Sequence, residues 1–130
     1  MAHYVDTSAL VKLVVREEES PAFITWLSEA DRAPVASDLI RTELARAVSR
    51  AAPSRLEQAR RVIASVTLMS ITPAILQEAG RLQPGTLRTL DAVHLASALA
   101  LDDDLESFVT YDERLAEAAR FYGIPVSAPS

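Results

Sequence analysis

The 130-residue sequence has no cysteine, which excludes a disulfide framework, a thiolate zinc site and a cysteine nucleophile. Glycine occurs only at positions 80, 85 and 123, and no repeat or low-complexity linker interrupts the chain. No uncharged apolar run approaches the roughly 20 residues that a membrane-spanning helix needs. The start, Met-Ala-His-Tyr-Val-Asp, lacks the basic segment and long apolar run of a signal peptide. A soluble, cytoplasmic protein is the expectation. Lysine is nearly absent too: of the 13 basic residues only Lys12 is a lysine.

What is present is ordinary globular composition, 49% hydrophobic and 24% charged, which argues against disorder. A chain of this length buries roughly two-thirds of its unfolded surface, so one domain over 1–130 is expected. The net charge of −5 runs against nucleic-acid binding, which favours basic proteins. Six arginines, at 41, 46, 50, 55, 60 and 61, nevertheless stand against only two acids, Glu43 and Glu57, in one stretch. The plain reading of that stretch is a solvated helical face.

Short β-like runs alternate with longer helical ones, the pattern of an α/β fold with a parallel sheet. Strands are predicted at 3–6, 34–37, 67–71 and 107–111, with a weaker one at 125–127. Helices are predicted at 8–15, from Ser20-Pro21 through Leu27, at 38–51, from the Ser54–Glu57 capping box to about 65, from Thr72-Pro73 to near Gly85, at 89–101, and at 112–122. Phe23, Trp26, Phe108 and Phe121 fall at core-like spacings and are read as packing residues, not as a surface for stacking bases.

Four carboxylates stand out. Asp6 ends the first strand and Asp112 follows the fourth, and ligands of open α/β sheets bind beyond the carboxyl ends of strands. Either residue also suits a helix N-cap. Glu43 projects between Leu39 and Ala47, inside the apolar stripe of its helix, with a pair to Arg46 as the bland alternative. Asp91 opens a helix that is apolar except for Asp91, His94 and Ser97. A buried ionised carboxylate is costly unless it is paired or bound to a metal; an ion pair with Arg88 would also account for it. His94 reads as a hydrogen-bonded core histidine, and the Asp102–Asp104 run as a solvated loop. Carboxylates brought together repel unless a cation joins them, and Mg²⁺ takes oxygen ligands, activates water and offsets charge on a phosphoryl group. Such chemistry needs no histidine, cysteine or serine nucleophile.

The segments Val5-Asp6-Thr7-Ser8-Ala9-Leu10-Val11-Lys12-Leu13, the Glu43 helix, Leu90-Asp91-Ala92-Val93-His94-Leu95-Ala96-Ser97-Ala98 and Phe108-Val109-Thr110-Tyr111-Asp112-Glu113-Arg114-Leu115 carry a resemblance. In this order they resemble PIN-domain ribonucleases, and more narrowly the VapC toxins of bacterial toxin–antitoxin pairs. The resemblance implies a parallel sheet of four to five short strands flanked by helices. It implies an endoribonuclease whose Asp6, Glu43, Asp91 and Asp112 line one Mg²⁺ pocket, with Asp6, Asp91 and Asp112 on the metal and Mn²⁺ able to substitute. Ser8 and Thr110 would hydrogen-bond to the metal-binding acids. An RNA substrate, a small antitoxin and a homodimer are the implied partners. Three rival readings remain: a PIN-type nuclease of RNA processing or quality control, a receiver-like phosphoacceptor, and a non-catalytic interaction domain whose acids are caps and surface charges. The receiver reading lacks a lysine late in the chain and a second acid beside Asp6.

Overall fold

The computed structural model describes residues 1–30 and 32–130. Its centre is one parallel sheet of five strands: β1 (Ala2–Val5), β2 (Ala33–Ser37), β3 (Thr67–Met69), β4 (Leu105–Val109) and β5 (Val126–Ser127). Their order across the sheet is β3-β2-β1-β4-β5. Seven α-helices flank it: α1 (Thr7–Leu10), α2 (Ser20–Glu29), α3 (Ile40–Ala51), α4 (Leu56–Ser65), α5 (Pro73–Ala79), α6 (Thr89–Leu99) and α7 (Glu113–Phe121). This is the expected α/β sheet. The chain leaves β1 toward β2 on one side and returns to β4 on the other, so the adjacent carboxyl ends of β1 and β4 form a topological switch point.

Side chains alternate across the pleat, and the sheet therefore feeds two cores. Val5, Ala36 and Val109 pack with α1 to α4 through Leu10, Phe23, Ile40, Leu44, Val48 and Val62. Their strand neighbours Tyr4 and Phe108 face the opposite way, stacked on each other at 5.2 Å and packed with α5 to α7 through Leu95 and Leu115. Lys12, the one lysine, is buried against α2: its ammonium sits 3.2 Å from Glu17 and 3.0 Å from Glu19, and 4.4 Å above the Tyr111 ring. A buried charge survives through such partners.

Several element ends differ from the sequence reading. The helix expected over 8–15 is α-helical only to Leu10 and tightens into a 3-10 turn at Val11–Leu13, where the β-branched run of Val11, Val14 and Val15 resists continuation. Ser20 does not cap α2; its hydroxyl accepts from the Glu17 N–H at 2.9 Å and closes the preceding turn, and Glu19 takes the cap position. The Ser54–Glu57 capping box does not form, because Pro53 starts a 3-10 turn that contains Ser54, and α4 begins at Leu56. Helix α5 starts at Thr72-Pro73 as expected, with Thr72 as its cap accepting from the Ile75 N–H at 3.2 Å, but it ends at Ala79 before Gly80, short of Gly85. Helix α6 stops at Leu99 instead of Leu101.

Phe121 is also misplaced by the sequence reading. It is 71% exposed, because the buried stripe of α7 runs through Leu115, Ala116, Ala118 and Ala119 and leaves position 121 on the far side. Phe108→Ala, which empties a fully buried site, is expected to cost about 3–5 kcal/mol of stability, and Phe121→Ala less than about 0.5 kcal/mol, both read by urea unfolding. Equal costs would place Phe121 in the core after all.

Candidate acidic site

The switch point holds Asp6. It is the first residue past β1, its N–H is bonded to the Val109 carbonyl at 3.2 Å, and it is the N-cap of α1. The carboxylate is buried and thoroughly solvated by protein. Oδ1 accepts from the Ser8 hydroxyl at 2.7 Å and the Ala9 N–H at 3.2 Å; Oδ2 accepts from the Thr110 hydroxyl at 2.9 Å. Both hydroxyl protons thus point at Asp6, so the 3.3 Å approach of Ser8 Oγ to Thr110 Oγ1 is a contact between two acceptors. Burial pushes the Asp6 carboxyl up from its usual 3.8 to about 6, against the opposing hydrogen bonds from Ser8, Thr110 and the Ala9 N–H.

Asp112 is tied to the same centre. Its N–H donates to Thr110 Oγ1 at 3.1 Å, while its own Oδ1 caps α7 by accepting from the Arg114 and Leu115 N–H groups at 2.9 and 3.2 Å. Only Oδ2 faces outward, and it accepts from Arg88 Nη2 at 3.2 Å. The other edge of that guanidinium, Nε, donates to Asp91 Oδ2 at 3.2 Å. The pair of Asp91 with Arg88 noted from the sequence is therefore present, but the same arginine also reaches Asp112. Asp91 is only partly buried, its side chain 19% exposed, less enclosed than the apolar helix suggested. Burial raises its carboxyl and so does Asp112, while Arg88 opposes the rise.

Glu43 does not pair with Arg46. Its Oε1 accepts from the Thr7 hydroxyl at 2.8 Å and lies 2.5 Å from His94 Nε2. Burial pushes this carboxyl up, but the hydrogen bonds with His94 and Thr7 outweigh it, leaving Glu43 below the usual carboxylate range. Behind it runs a buried string: the Ser37 N–H donates to Tyr4 Oη at 3.1 Å, and Tyr4 Oη meets His94 Nδ1 at 2.7 Å. A Tyr4 hydroxyl donating to Nδ1 leaves the proton on Nε2, where it serves Glu43. His94 is thus the hydrogen-bonded buried histidine expected, and its partner is the glutamate. Sequence reasoning missed Tyr4 and Thr7 in this role; the one available signal was Thr7 standing beside Asp6.

The structure thus brings two linked pairs of acids to one end of the sheet: Asp6 with Asp112 through Thr110, and Asp91 with Asp112 through Arg88. Glu43 joins through His94, one turn after Asp91 on α6. Among the described residues no three His, Asp or Glu side chains form a ready-made cage for a metal ion. The donors are nonetheless all carboxylate oxygens, and a cationic guanidinium already sits between two of them, which suits a hard divalent ion that keeps several waters and borrows ligands from a phosphate. Elsewhere, Asp102–Asp104 is an exposed 3-10 turn, and Arg41 and Arg60 of the basic stretch pair with Asp38 and Glu57 three residues earlier.

The raised Asp6 carboxyl has a consequence for stability. A group that binds its proton more tightly when folded makes stability fall as pH rises, here from about 4 to about 6, with the full cost present above that window. In a metal-free buffer Asp6→Asn is expected to melt higher than the wild type at pH 7.5, by roughly 3 °C or more, and to lose the gain by pH 4. A gain independent of pH in thermal melts would contradict this account.

Residues 3–121 match the family described as PIN domain. The chain is 45% identical to ribonuclease VapC46 of Mycobacterium tuberculosis over 130 residues, covering 99% of this chain and 98% of that protein. It is 38% identical to ribonuclease VapC47 of the same species, with 97% and 96% covered. Among solved structures, a toxin–antitoxin complex from Klebsiella pneumoniae aligns with a TM-score of 0.73 at 21% identity over 98% of both chains. The sarcin–ricin-loop-cleaving toxin VapC20 of M. tuberculosis aligns with a TM-score of 0.72 at 14% identity, covering 91% of this chain and 95% of that one. These two likenesses concern the fold. With the family matched over nearly its whole length and full-length relatives above 30% identity, the chain belongs to the PIN-domain family, in its VapC branch.

Proposed function

We propose that this protein is a Mg²⁺-dependent endoribonuclease that hydrolyses RNA phosphodiester bonds at the Asp6, Glu43, Asp91 and Asp112 site, and that it is the toxin of a type II toxin–antitoxin pair. The observation that carries the reading is the convergence of four acids on the β1–β4 switch point, two of them bridged by a cation. Full-length relatives named ribonuclease VapC support the reaction class.

Asp6, Asp91 and Asp112 would hold the ion, and Mn²⁺ would substitute for Mg²⁺. The bound ion supplies Lewis acidity toward the phosphate and lowers the pKa of water. The chain does the rest. Ser8, Thr110 and the Ala9 N–H lock the rotamer of Asp6, and the α7 cap directs Asp112 Oδ2 outward. Glu43, whose carboxyl is held below its usual range by Thr7 and His94, would take a proton from an attacking water. Arginine side chains, Arg88 foremost, supply the positive charge for the RNA backbone that the net charge of −5 does not.

The reading includes a cytoplasmic setting, one domain over 1–130, a homodimer and a small antitoxin. An acidic site calls for an antitoxin tail carrying Arg or Lys, which would compete with the ion and with RNA together. An apolar part of that tail would lie near Trp26 and Leu27, both half-buried on α2. For this chain, no described helix is long and apolar enough to cross a membrane.

Asp91→Asn and Asp112→Asn are each expected to lower RNA cleavage at least about 100-fold, with an unchanged circular dichroism spectrum. Glu113→Gln, exposed on α7, is expected to cleave as the wild type does. Cleavage by Asp91→Asn at the wild-type rate would overturn the mechanism. In its host, the wild-type chain expressed alone is expected to stop growth, and co-expression with the short reading frame beside its gene to restore growth and co-purify the pair. A soluble chain that left growth and RNA intact would shift the assignment to RNA processing.

A further inference from the structure

Arg88 is the N-cap residue of α6, and its side chain is 69% exposed, yet its guanidinium is committed at both edges: Nε to Asp91 Oδ2 and Nη2 to Asp112 Oδ2, each at 3.2 Å. The geometry leaves these acids little choice of partner. Asp112 Oδ1 is held by the Arg114 and Leu115 N–H groups, so Oδ2 is its one outward oxygen, and that oxygen is the one Arg88 takes. A divalent ion on Asp112 Oδ2 would bring its own positive charge beside the Arg88 guanidinium on the same oxygen, so the two cations compete there. The displaced arm has somewhere to go: Arg88 and Asp91 border a groove of about 730 Å³ that continues past Gln83, Leu87 and Arg114. We propose that Arg88 is a built-in counterion that competes with the divalent metal for Asp91 and Asp112 and, once displaced into this groove, binds an RNA phosphate beside the cleaved bond.

The proposal rests on the metal reading of the site given above, and adds a role for a side chain that neither ligates the metal nor hydrogen-bonds to its own helix end. Physically, the guanidinium offsets the repulsion between Asp91 and Asp112 while no ion is there. Exposed pairs of this kind are individually weak, so the exchange is permitted and not blocked. The fork geometry is specific to arginine: a lysine ammonium is a point charge and does not span both oxygens with separate edges. Arg114 lines the same groove, but its side chain is bonded to neither acid among the described residues, which makes it the control for net charge.

Mn²⁺ titration by calorimetry and RNA cleavage at saturating Mn²⁺ test this on the whole chain, for wild type, Arg88→Gln, Arg88→Lys and Arg114→Gln. Arg88→Gln is expected to bind Mn²⁺ about three- to tenfold more tightly than wild type, the loss of two weak competing pairs, and to show a raised KM for RNA. Arg88→Lys is expected to share the tighter Mn²⁺ binding and to recover part of the KM. Arg114→Gln is expected to bind Mn²⁺ within about twofold of wild type, since a screened charge without contact matters little. Wild type and Arg88→Gln binding Mn²⁺ equally would overturn the competition while leaving the metal reading intact. Mn²⁺ binding by neither would overturn the metal reading and the inference with it. An unchanged KM in Arg88→Gln would remove the phosphate role.

Discussion

The constraint on which the rest depends is a carboxylate buried where β1 meets β4. Water is excluded from Asp6, so its charge is tolerated only because Ser8, Ala9 and Thr110 supply three hydrogen bonds. Each donor comes from a different structural decision. Ser8 and Ala9 are positioned by the turn into α1, and Thr110 by the parallel pairing of β4 on β1. The sheet order, which puts β4 beside β1 with the connections departing in opposite directions, is what opens the crevice above them. Stability and the site are therefore the same piece of architecture, and the raised Asp6 carboxyl is the residual strain of keeping it.

The remaining acids are graded outward from that centre. Asp112 spends one oxygen on the α7 cap and turns the other outward to Arg88, so capping and site roles are not alternatives at this residue. The same holds for Asp6, whose Oδ1 caps α1 while Oδ2 answers to Thr110. Glu43 is held by a string that crosses the molecule: from Ser37 at the end of β2, through Tyr4 on β1 and His94 on α6, to a glutamate on α3. Tyr4 belongs to the α5–α7 core and Glu43 to a helix of the other layer, so this string couples the two cores at the site.

Much of this was legible before any coordinates. The alternation of apolar runs predicted four strands and a weaker fifth with helices between them, because a parallel sheet covered on both faces accommodates short buried strands joined by long connections. Asp6 and Asp112 stood out as acids just past strand ends, where ligands of such sheets bind, with capping as the other reading. Asp91 at the head of an apolar helix and Glu43 within an apolar stripe stood out because charge in those settings is costly enough to demand a reason. The start of α5 could be placed at Thr72-Pro73 from the proline alone. These are local properties, governed by periodicity and by the chemistry of residues one turn apart.

What the sequence could not decide are relations between residues far apart in the chain. Glu43 had Arg46 within reach on its own helix, yet takes His94, 51 residues away, because packing α3 and α6 on the sheet brings the imidazole closer and in a buried setting where the bond is stronger. Arg88 had Asp91 three residues on, and the fold adds Asp112, which turns a routine helix pair into a bridge across the site. Phe121 matched a core spacing, but which side of α7 is buried depends on where Leu115 and Ala119 meet the sheet. Ser54 matched a capping box, but Pro53 had already turned the backbone. Sequence spacing alone determined the kinds of element and the residues that needed partners. The tertiary structure chose the partners, because hydrogen bonds and ion pairs depend on distances of a few ångströms that only the packing of distant segments sets.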